Sequence, residues 1–250
     1  MKGASRYCLD NDTMSVRCLL MMGGTGSRFG ADIPKQYTNI NGVPLFTYIL
    51  KRIMDIDYIE TICIVAHKEW VDYVTDQINQ TFTDTDKIIV TIGGNTRSES
   101  VKNGLNRLSI ISDRNDVILI HDATHPYVDE RGTDLVVKAV NEYGGATLGA
   151  CQYDTCYRMN EEGFIEEIIP RQFLVSGASP EAFKFGLIYE IYSNATSDEL
   201  DNMTSAGAIA SAHNIRMKVI PSNVLNLKIT YPGDMEIFKL LAKDYFFKEI

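Results

Sequence analysis

The sequence has no apolar run long enough to span a membrane and no apolar N-terminal segment of the kind found in signal peptides. It also has no excess of basic residues, since its formal net charge is -9. An acidic surface repels nucleic acid and anionic membranes. We therefore expect small-molecule ligands, with no nucleic acid and no membrane as partner.

The sequence is also poor in the cysteine patterns that define disulfide or zinc sites. Its five cysteines are odd in number and lack Cys-x-x-Cys spacing. This usage indicates a reducing compartment, so a cytoplasmic location is expected, without a disulfide framework or a zinc site.

What the sequence does have is an alternation of strand-like and helix-like segments. Apolar, β-branched runs predict strands at Val16–Met22, Ile59–Ala66, 87–92, 117–120 and 146–150. Apolar residues at helical spacing predict helices at Leu45–Met54, 70–82, 98–108 and Glu130–Tyr143. Such alternation specifies an α/β fold with a Rossmann-like, mostly parallel sheet and helices on both faces. Ligands of such sheets bind beyond the carboxyl ends of the strands.

The rest of the chain is expected to complete a single domain over residues 15–250, preceded by a loose extension at residues 1–14. Further helices are predicted at 180–192 and 233–247, and further strands at 218–220 and 225–230. Residues 155–170 predict a projecting β-hairpin arm that turns at Asn160-Glu161-Glu162-Gly163. Its apolar side chains need cover, which either a partner subunit in a homodimer or the arm's own domain could supply.

A glycine-rich turn follows the first predicted strand of the domain. The segment GGTGSRFGADIPKQY occupies residues 23–37. Gly23, Gly24 and Gly26, with Thr25 between them, allow main-chain N–H groups to approach a nucleotide phosphate. The segment lacks the spacing of a P-loop and the third glycine of a dinucleotide fingerprint, which disfavours a dehydrogenase. A plain tight turn is the alternative, but it leaves two nearby cations, Arg28 and Lys35, unexplained.

Six motifs in this order resemble those of one known enzyme family. They are GGTGSRF with PKQY in residues 23–37, GGNTRSESVKNGL in 93–105, HDATHP in 121–126, the Asp-Thr pair 154–155, Arg171 with SPEAF in 179–183, and NLKIT in 226–230. Over about residues 16–245 the chain resembles the family that contains the 2-C-methyl-D-erythritol 4-phosphate and D-ribitol 5-phosphate cytidylyltransferases. The resemblance implies a nucleotide-diphospho-sugar transferase type of fold. It also implies that CTP and a polyol phosphate react, with Mg²⁺, to give a CDP-polyol and pyrophosphate.

The resemblance also implies a role for individual residues. The expected catalytic cations are Arg28, Lys35 and Lys228. The nucleotide is expected at the glycine-rich turn and at Gly94, Asn95, Arg97 and Ser100. Asp122 is similar to the family's metal-binding aspartate. The acceptor is expected at His125, Thr155, Arg171, Ser179 and Thr204.

The residue types support two of these roles independently. Asp122 follows a strand, at the edge of the sheet where a carboxylate can hold a hard cation against phosphates, although it could also cap a loop. Lys228 interrupts an apolar run, where a charge is costly unless an anion meets it, although an edge lysine is the alternative. No general base is required, because a phosphate monoester with its second pKa at ~6 is already largely dianionic.

Several departures from the family pattern surround the expected acceptor site. His125 stands where the family usually has arginine, Ala178-Ser179-Pro180-Glu181 replaces Gln-Thr-Pro-Gln, Thr204-Ser205 replaces Thr-Asp, and Leu225 stands where some members have an acidic residue. The motifs therefore do not assign the identity of the acceptor phosphate. The segment Ile169-Pro170-Arg171 and the glycine at 177 resemble the ribitol type more than the methylerythritol type, which favours D-ribitol 5-phosphate slightly. The alternatives are 2-C-methyl-D-erythritol 4-phosphate, as in isoprenoid synthesis, another sugar phosphate, or a binding protein without activity.

Overall fold

The structure is a computed structural model that describes residues 7–9, 12–24, 33–222 and 225–245. In chain order its strands are β1 (Tyr7–Leu9), β2 (Asp12–Met14), β3 (Val16–Met22), β4 (Asn39–Ile40), β5 (Val43–Pro44), β6 (Ile59–Ala66), β7 (Ile88–Ile92), β8 (Val117–Asp122), β9 (Gly145–Cys151), β10 (Cys156–Met159), β11 (Ile165–Ile169), β12 (Val175–Lys184) and β13 (Met217–Pro221). Its helices are α1 (Leu45–Met54), α2 (Val71–Thr81), α3 (Arg97–Leu108), α4 (Glu130–Tyr143), α5 (Phe185–Asn194), α6 (Ser197–Asn202), α7 (Ala206–Ala212) and α8 (Pro232–Tyr245). Short 3-10 turns lie at Lys35–Tyr37, Lys68–Trp70 and Arg171–Phe173.

A seven-stranded sheet in the order β13-β9-β12-β8-β3-β6-β7 forms the centre of the fold. The neighbours β13 and β9, β8 and β3, β3 and β6, and β6 and β7 are parallel, whereas β12 runs antiparallel between β8 and β9. The predicted mostly parallel sheet is confirmed. Because β3, β6, β7 and β8 are parallel, their carboxyl ends meet at one edge of the sheet.

Helices cover both faces of the sheet, as predicted. Cys18, Leu20 and Met22 of β3 face a core layer that includes residues of α1, α2, α4 and α8. Leu19 and Met21 face the opposite layer, which includes residues of α3, α5 and α7. The period of two along β3 therefore divides the core into two layers. A strand buried on both faces reads as a continuous apolar run, which is why residues 16–22 are apolar almost throughout.

Two predictions about the C-terminal part are wrong. The helix expected at 180–192 begins only at Phe185, because residues up to Lys184 belong to β12 and pair with both β8 and β9. The strand expected at 225–230 is irregular, and its Ile229 N–H donates to the Thr124 carbonyl at 2.9 Å. In both places the backbone hydrogen bonds are set by distant segments, which a local pattern does not reveal.

The predicted arm is present as the antiparallel hairpin of β10 and β11. Gly163 in its turn has φ +87°, the left-handed conformation expected there. The apolar side chains of the arm are exposed: Tyr157, Met159, Phe164, Ile165 and Ile168 are 54% to 71% accessible. In the described chain the arm therefore does not fold back on its own domain.

The remaining expectations concern the N-terminus, the cysteines and the membrane. Within residues 1–14, expected to be loose, β1 and β2 form a small antiparallel hairpin. Four cysteines with described side chains, Cys18, Cys63, Cys151 and Cys156, are free thiols. In the described ranges, every helix is too short or too polar to span a membrane. The cytoplasmic location stays a prediction.

Candidate active site

A cavity of about 500 Å³ opens at the carboxyl ends of the parallel strands. It is lined by Met21, Met22, Gly23, Gly24, Lys35, Gln36, His67, Lys68, Gly93, Gly94, Asn95, Thr96, Arg97, Ser100, Asp122 and Thr124. These residues end or follow β3, β6, β7 and β8 or lie in the first turn of α3, so the fold brings together the glycine-rich turn, the 93–105 motif and the 121–126 motif. The cavity is large enough for a small-molecule ligand.

The glycine-rich turn is fastened to the 3-10 turn that follows it in sequence. Gln36 Nε2 donates hydrogen bonds to the carbonyls of Met22, at 2.9 Å, and Gly24, at 2.7 Å. The Tyr37 hydroxyl also donates to the Met22 carbonyl at 2.8 Å. These bonds hold the end of β3 and leave Gly23 and Gly24 at the cavity wall. Thr25, Gly26 and Arg28 lie outside the described residues.

Lys35 reaches the cavity from a buried position. The residue is 9% exposed and is followed by Gln36 and Tyr37, which are 2% exposed. Tyr37 stacks on Trp70 with ring centroids 4.6 Å apart, which ties the turn to the start of α2. A cation on so fixed a support is preorganised, because little reorganisation is needed when an anion binds.

The 93–105 motif forms a closed turn at the start of α3. The Gly94 N–H donates to Ser100 Oγ at 3.0 Å, and the Asn95 N–H donates to Glu99 Oε2 at 2.7 Å. The N-cap of α3 is Thr96, whose side chain accepts from the Glu99 N–H. A Cβ at Gly94 would lie 2.2 Å from Glu99 Cβ, so only glycine fits there. The turn thereby places Asn95 and Arg97 at the cavity.

Asp122 forms the centre of a charged cluster beside the cavity. Its Oδ1 accepts from Arg97 Nη2 at 3.1 Å, and its Oδ2 accepts from Lys228 Nζ at 2.7 Å. Arg97 Nη2 also lies 3.5 Å from Glu181 Oε2. Three predicted site residues, Arg97, Asp122 and Lys228, are thus in direct contact, although they are far apart in sequence.

Asp122 and Arg97 keep their charges at neutral pH. Burial by itself raises the pKa of Asp122, but Arg97 and Lys228 lower it well below its usual range, and their effect is larger. Burial lowers the pKa of Arg97, but Asp122 and Glu181 raise it above its ordinary value. The site therefore combines an ionised carboxylate with two cations.

His125 and Ser179 lie together next to Asp122. His125 Nδ1 is 2.8 Å from Ser179 Oγ, and the Asp122 N–H donates to the same oxygen at 3.3 Å. His121 Nε2 donates to the His125 carbonyl at 3.1 Å. Burial lowers the pKa of His125 to about 3, so this imidazole is neutral near pH 7.

The other three predicted acceptor residues are placed elsewhere. In the part of the chain that the structure describes, Thr155, Arg171 and Thr204 lie outside the lining of the main cavity and are exposed. Thr155 precedes β10 and Arg171 follows β11, where its Nη1 donates to the Tyr153 carbonyl. Both therefore belong to the base of the arm.

A model of the 2-C-methyl-D-erythritol 4-phosphate cytidylyltransferase family matches residues 16–243. The chain belongs to this family. A cytidylyltransferase with that name from Clostridium botulinum is 31% identical over 228 residues, covering 91% of this chain and 99% of the relative. One from Thermotoga neapolitana is 29% identical over 230 residues, covering 91% of this chain and 96% of the relative.

Solved structures of this cytidylyltransferase family share the fold. The 4-diphosphocytidyl-2C-methyl-D-erythritol synthase from Anaerococcus prevotii superposes with a TM-score of 0.77 at 18% identity, over 92% of this chain and 96% of that one. The cytidylyltransferase from Francisella tularensis gives 0.73 at 22% identity, over 90% and 99%. The chain is therefore a nucleotidyltransferase that uses CTP, as the motifs predicted.

Sequence reasoning missed three groups of this cytidylyltransferase site. Gln36 holds the glycine-rich turn, His67 and Lys68 line the cavity after β6, and Glu181 contacts Arg97. Gln36 stands next to Lys35 within the PKQY motif, which was its only local signal. Glu181 was noted solely as a departure from the family pattern, because its contact with Arg97 joins residues that are distant in sequence.

The side chains at the cavity fit one of the two common types of Mg²⁺ site. Across residues 7–9, 12–24, 33–222 and 225–245, no three His, Cys, Asp or Glu side chains group as they do in an all-protein metal cage. Mg²⁺, however, is commonly held by one or two carboxylates together with substrate phosphates. A single ionised carboxylate at the cavity, that of Asp122, fits this second type of site.

Proposed function

We propose that this enzyme transfers CMP from CTP to the phosphate of 2-C-methyl-D-erythritol 4-phosphate and releases pyrophosphate. The observation that carries the proposal is the family match over residues 16–243, together with a cavity that joins three of its motifs. The relatives named above are called 2-C-methyl-D-erythritol 4-phosphate cytidylyltransferase or 4-diphosphocytidyl-2C-methyl-D-erythritol synthase. The slight sequence-based preference for D-ribitol 5-phosphate has no comparable support.

In the proposed reaction, an oxygen of the acceptor phosphate attacks the α-phosphorus of CTP. The new P–O bond forms as the bond between the α-phosphorus and the bridging oxygen to the β-phosphate breaks, and pyrophosphate leaves with that electron pair. The acceptor oxygen is already deprotonated, so the protein needs no base. Catalysis then consists of alignment and neutralisation of charge.

The protein groups that supply this neutralisation stand around the cavity. Gly23 and Gly24 offer main-chain N–H groups at the end of β3, and Lys35 lies at the same wall. Lys228 is 44% exposed at its side chain, so it can turn from Asp122 towards the α-phosphate. Arg28 is proposed to neutralise phosphate charge as well, because it belongs to the same glycine-rich motif.

Asp122 would hold Mg²⁺ together with the triphosphate oxygens. The ion would neutralise phosphate charge and orient the pyrophosphate as leaving group. To hold the ion, the Asp122 carboxylate would give up at least one of its present partners, Arg97 or Lys228. A cation released in this way would face the phosphates, which would replace the carboxylate as its partner.

The acceptor side is proposed to involve a second protomer. Thr155 and Arg171 stand at the base of an arm whose apolar side chains are exposed, with Phe164 67% accessible and Met159 71% accessible. Burial of such side chains in a homodimer removes apolar surface from water, which favours association. We infer that the arm mediates a homodimer.

The decisive experiment is pyrophosphate release by the purified protein with CTP and Mg²⁺. The acceptors are 2-C-methyl-D-erythritol 4-phosphate, D-ribitol 5-phosphate and a panel of sugar phosphates, and ATP, GTP and UTP replace CTP as controls. Release with CTP and the methylerythritol phosphate is expected. Faster release with ribitol phosphate would reverse the choice of acceptor, and silence with every pair would favour a binding protein without activity.

A further inference from the structure

Glu181 is held in place by the main chain of another element. Its Oε1 accepts from the Gly207 N–H at 2.7 Å, and its Oε2 accepts from the Ala206 N–H at 3.2 Å. A Cβ at Gly207 would lie 2.7 Å from the same Oε1, so the close approach depends on glycine. Glu181 itself is fixed in β12, where it pairs with Ile120 of β8. Strand and helix together leave the carboxylate little freedom.

The second contact of this carboxylate is Arg97. Arg97 Nη2 lies 3.5 Å from Glu181 Oε2 and 3.1 Å from Asp122 Oδ1, so one nitrogen serves two carboxylates. The side chains of Asp122 and Glu181 are only 14% and 16% exposed, which reduces screening of the pair by solvent. The position of Arg97 at the cavity therefore depends on Glu181 as well as on Asp122.

Charge balance gives Glu181 a further consequence. The cluster contains two cations, Arg97 and Lys228, and two carboxylates, Asp122 and Glu181, so its formal charge is zero. Without the charge of Glu181 it would be +1. A cluster at +1 attracts a triphosphate more strongly and a divalent cation more weakly, because the two ligands have opposite charge.

We propose that Glu181 is a positioning residue that holds Arg97 beside Asp122 and sets the balance between triphosphate and divalent-metal affinity at this site. The proposal rests on the proposed function, since it takes CTP and Mg²⁺ as the ligands. Glu181 touches neither the substrate nor the metal in this account. It acts through Arg97.

Helix capping alone does not explain this residue. Ser205 already caps α7, because its Oγ accepts from the Ala208 N–H at 3.0 Å. A Cβ added at Gly207 would lie 2.7 Å from Glu181 Oε1 and 3.7 Å from Ser205 Oγ, so both side chains approach the same end of α7. An aspartate at 205 would thus return a carboxylate to the same helix end.

The experiment compares four proteins: the wild type, Glu181→Gln, the double variant Glu181→Gln with Ser205→Asp, and Glu190→Gln. The last removes an exposed acid that pairs with Arg114, so it is the control for loss of one negative charge. Binding of CTP in EDTA is measured by calorimetry. Binding of Mn²⁺, as the probe for Mg²⁺, is measured with CTP present by electron paramagnetic resonance.

Opposite changes are expected in Glu181→Gln. Metal-free CTP should bind about threefold to tenfold more tightly and Mn²⁺ about threefold to tenfold more weakly, as for one charge at several ångströms in a partly screened site. The double variant should bring both constants back towards wild type, and Glu190→Gln should leave both unchanged.

Two results would overturn the proposal. Constants unchanged in Glu181→Gln would make Glu181 a helix cap only, and a parallel fall of both affinities that the double variant does not reverse would indicate a structural defect. If the wild-type protein fails to bind CTP at every metal concentration, the proposed function is refuted instead. The two failures are therefore distinguishable.

Discussion

The nucleotide side and the acceptor side of this site differ in how they are built. On the nucleotide side, Gly24 is fastened by Gln36 and Gly94 by Ser100, and both glycines line one cavity. On the acceptor side, His125 is buried and neutral, whereas Arg171 is exposed at the base of the arm. The described residues of the first half line one cavity. The second half consists of separate pieces.

The difference predicts how much each substrate must rearrange its half of the site on binding. CTP is expected to bind a cavity whose main chain is already held by hydrogen bonds at Gly24 and Gly94, so little rearrangement of the main chain is needed. The acceptor is expected to meet Arg171, whose exposed side chain would lose conformational freedom on binding. Substitutions on the nucleotide side should therefore lower turnover, and substitutions on the acceptor side should raise the acceptor KM.

Lys35→Met gives the largest expected effect. Methionine fills the buried position, but the cation at the phosphates is lost, and removal of one preorganised group costs about 10²- to 10³-fold in kcat. Pyrophosphate release is measured with CTP and the acceptor at saturation. Lys51→Met, on α1 and paired with Asp55, is the control and should retain full turnover. A Lys35→Met protein with wild-type kcat and an unchanged thermal transition would show that Lys35 does not face the phosphates.

Asp122→Asn is expected to lower kcat by about 10²-fold, because the variant keeps the shape of the side chain but loses the charge that would hold Mg²⁺. Arg97 and Lys228 also lose their common carboxylate. The dependence of the rate on Mg²⁺ concentration is measured, and the half-saturating concentration should rise. Asp134→Asn, which removes an exposed pair with Lys138, is the matched control. An unaltered Mg²⁺ dependence would remove Asp122 from the metal site.

Arg171→Ala is expected to raise the acceptor KM about tenfold while the KM for CTP stays within twofold, as for the loss of one charged hydrogen bond. Arg158→Ala on the same arm removes the pair with Glu167 and serves as control. If Arg171→Ala raises both KM values equally, the division of the site into two halves is wrong.

The sequence predicted those elements whose patterns are long and periodic. Val16–Met22, Ile59–Ala66 and Leu45–Met54 have the predicted bounds. Their hydrophobic periods are local properties, and they agree with the final packing. The start of β12 was missed because its ladder is supplied by β8 and β9, which are remote in sequence.

The same distinction holds for the site. Gly23, Gly94 and Asp122 were predicted because each belongs to a motif that carries its own chemistry. The neutral state of His125 was not predicted, because it follows from burial against Ser179. Nor was the contact between Glu181 and Arg97, which needs β12 and α7 in place. Motifs therefore predict which residues line the cavity better than they predict contacts between distant segments.

The smallest expected effect concerns the stability of the fold at acidic pH, to which the buried, neutral His125 contributes. The pKa of His125 is lowered to about 3, whereas an unfolded histidine titrates near about 6.5, so the unfolded chain binds the proton first. Stability from this group is fully present above about pH 6.5 and is lost as the pH falls towards about 3. Between pH 6.5 and 5.5 the loss is about 1 kcal/mol for one such histidine.

His125→Asn can accept the same Ser179 contact but does not titrate, so its urea unfolding free energy should fall by about 1 kcal/mol less than that of wild type over this interval. His121, whose pKa is also lowered by burial, remains in both proteins and contributes equally. His213→Asn, at an exposed histidine paired with Glu199, controls for loss of a surface imidazole. Parallel pH profiles for wild type and His125→Asn would mean that His125 takes up its proton in the folded protein. The acceptor side would then carry a positive charge near neutral pH, and its electrostatic contrast with the nucleotide side would disappear.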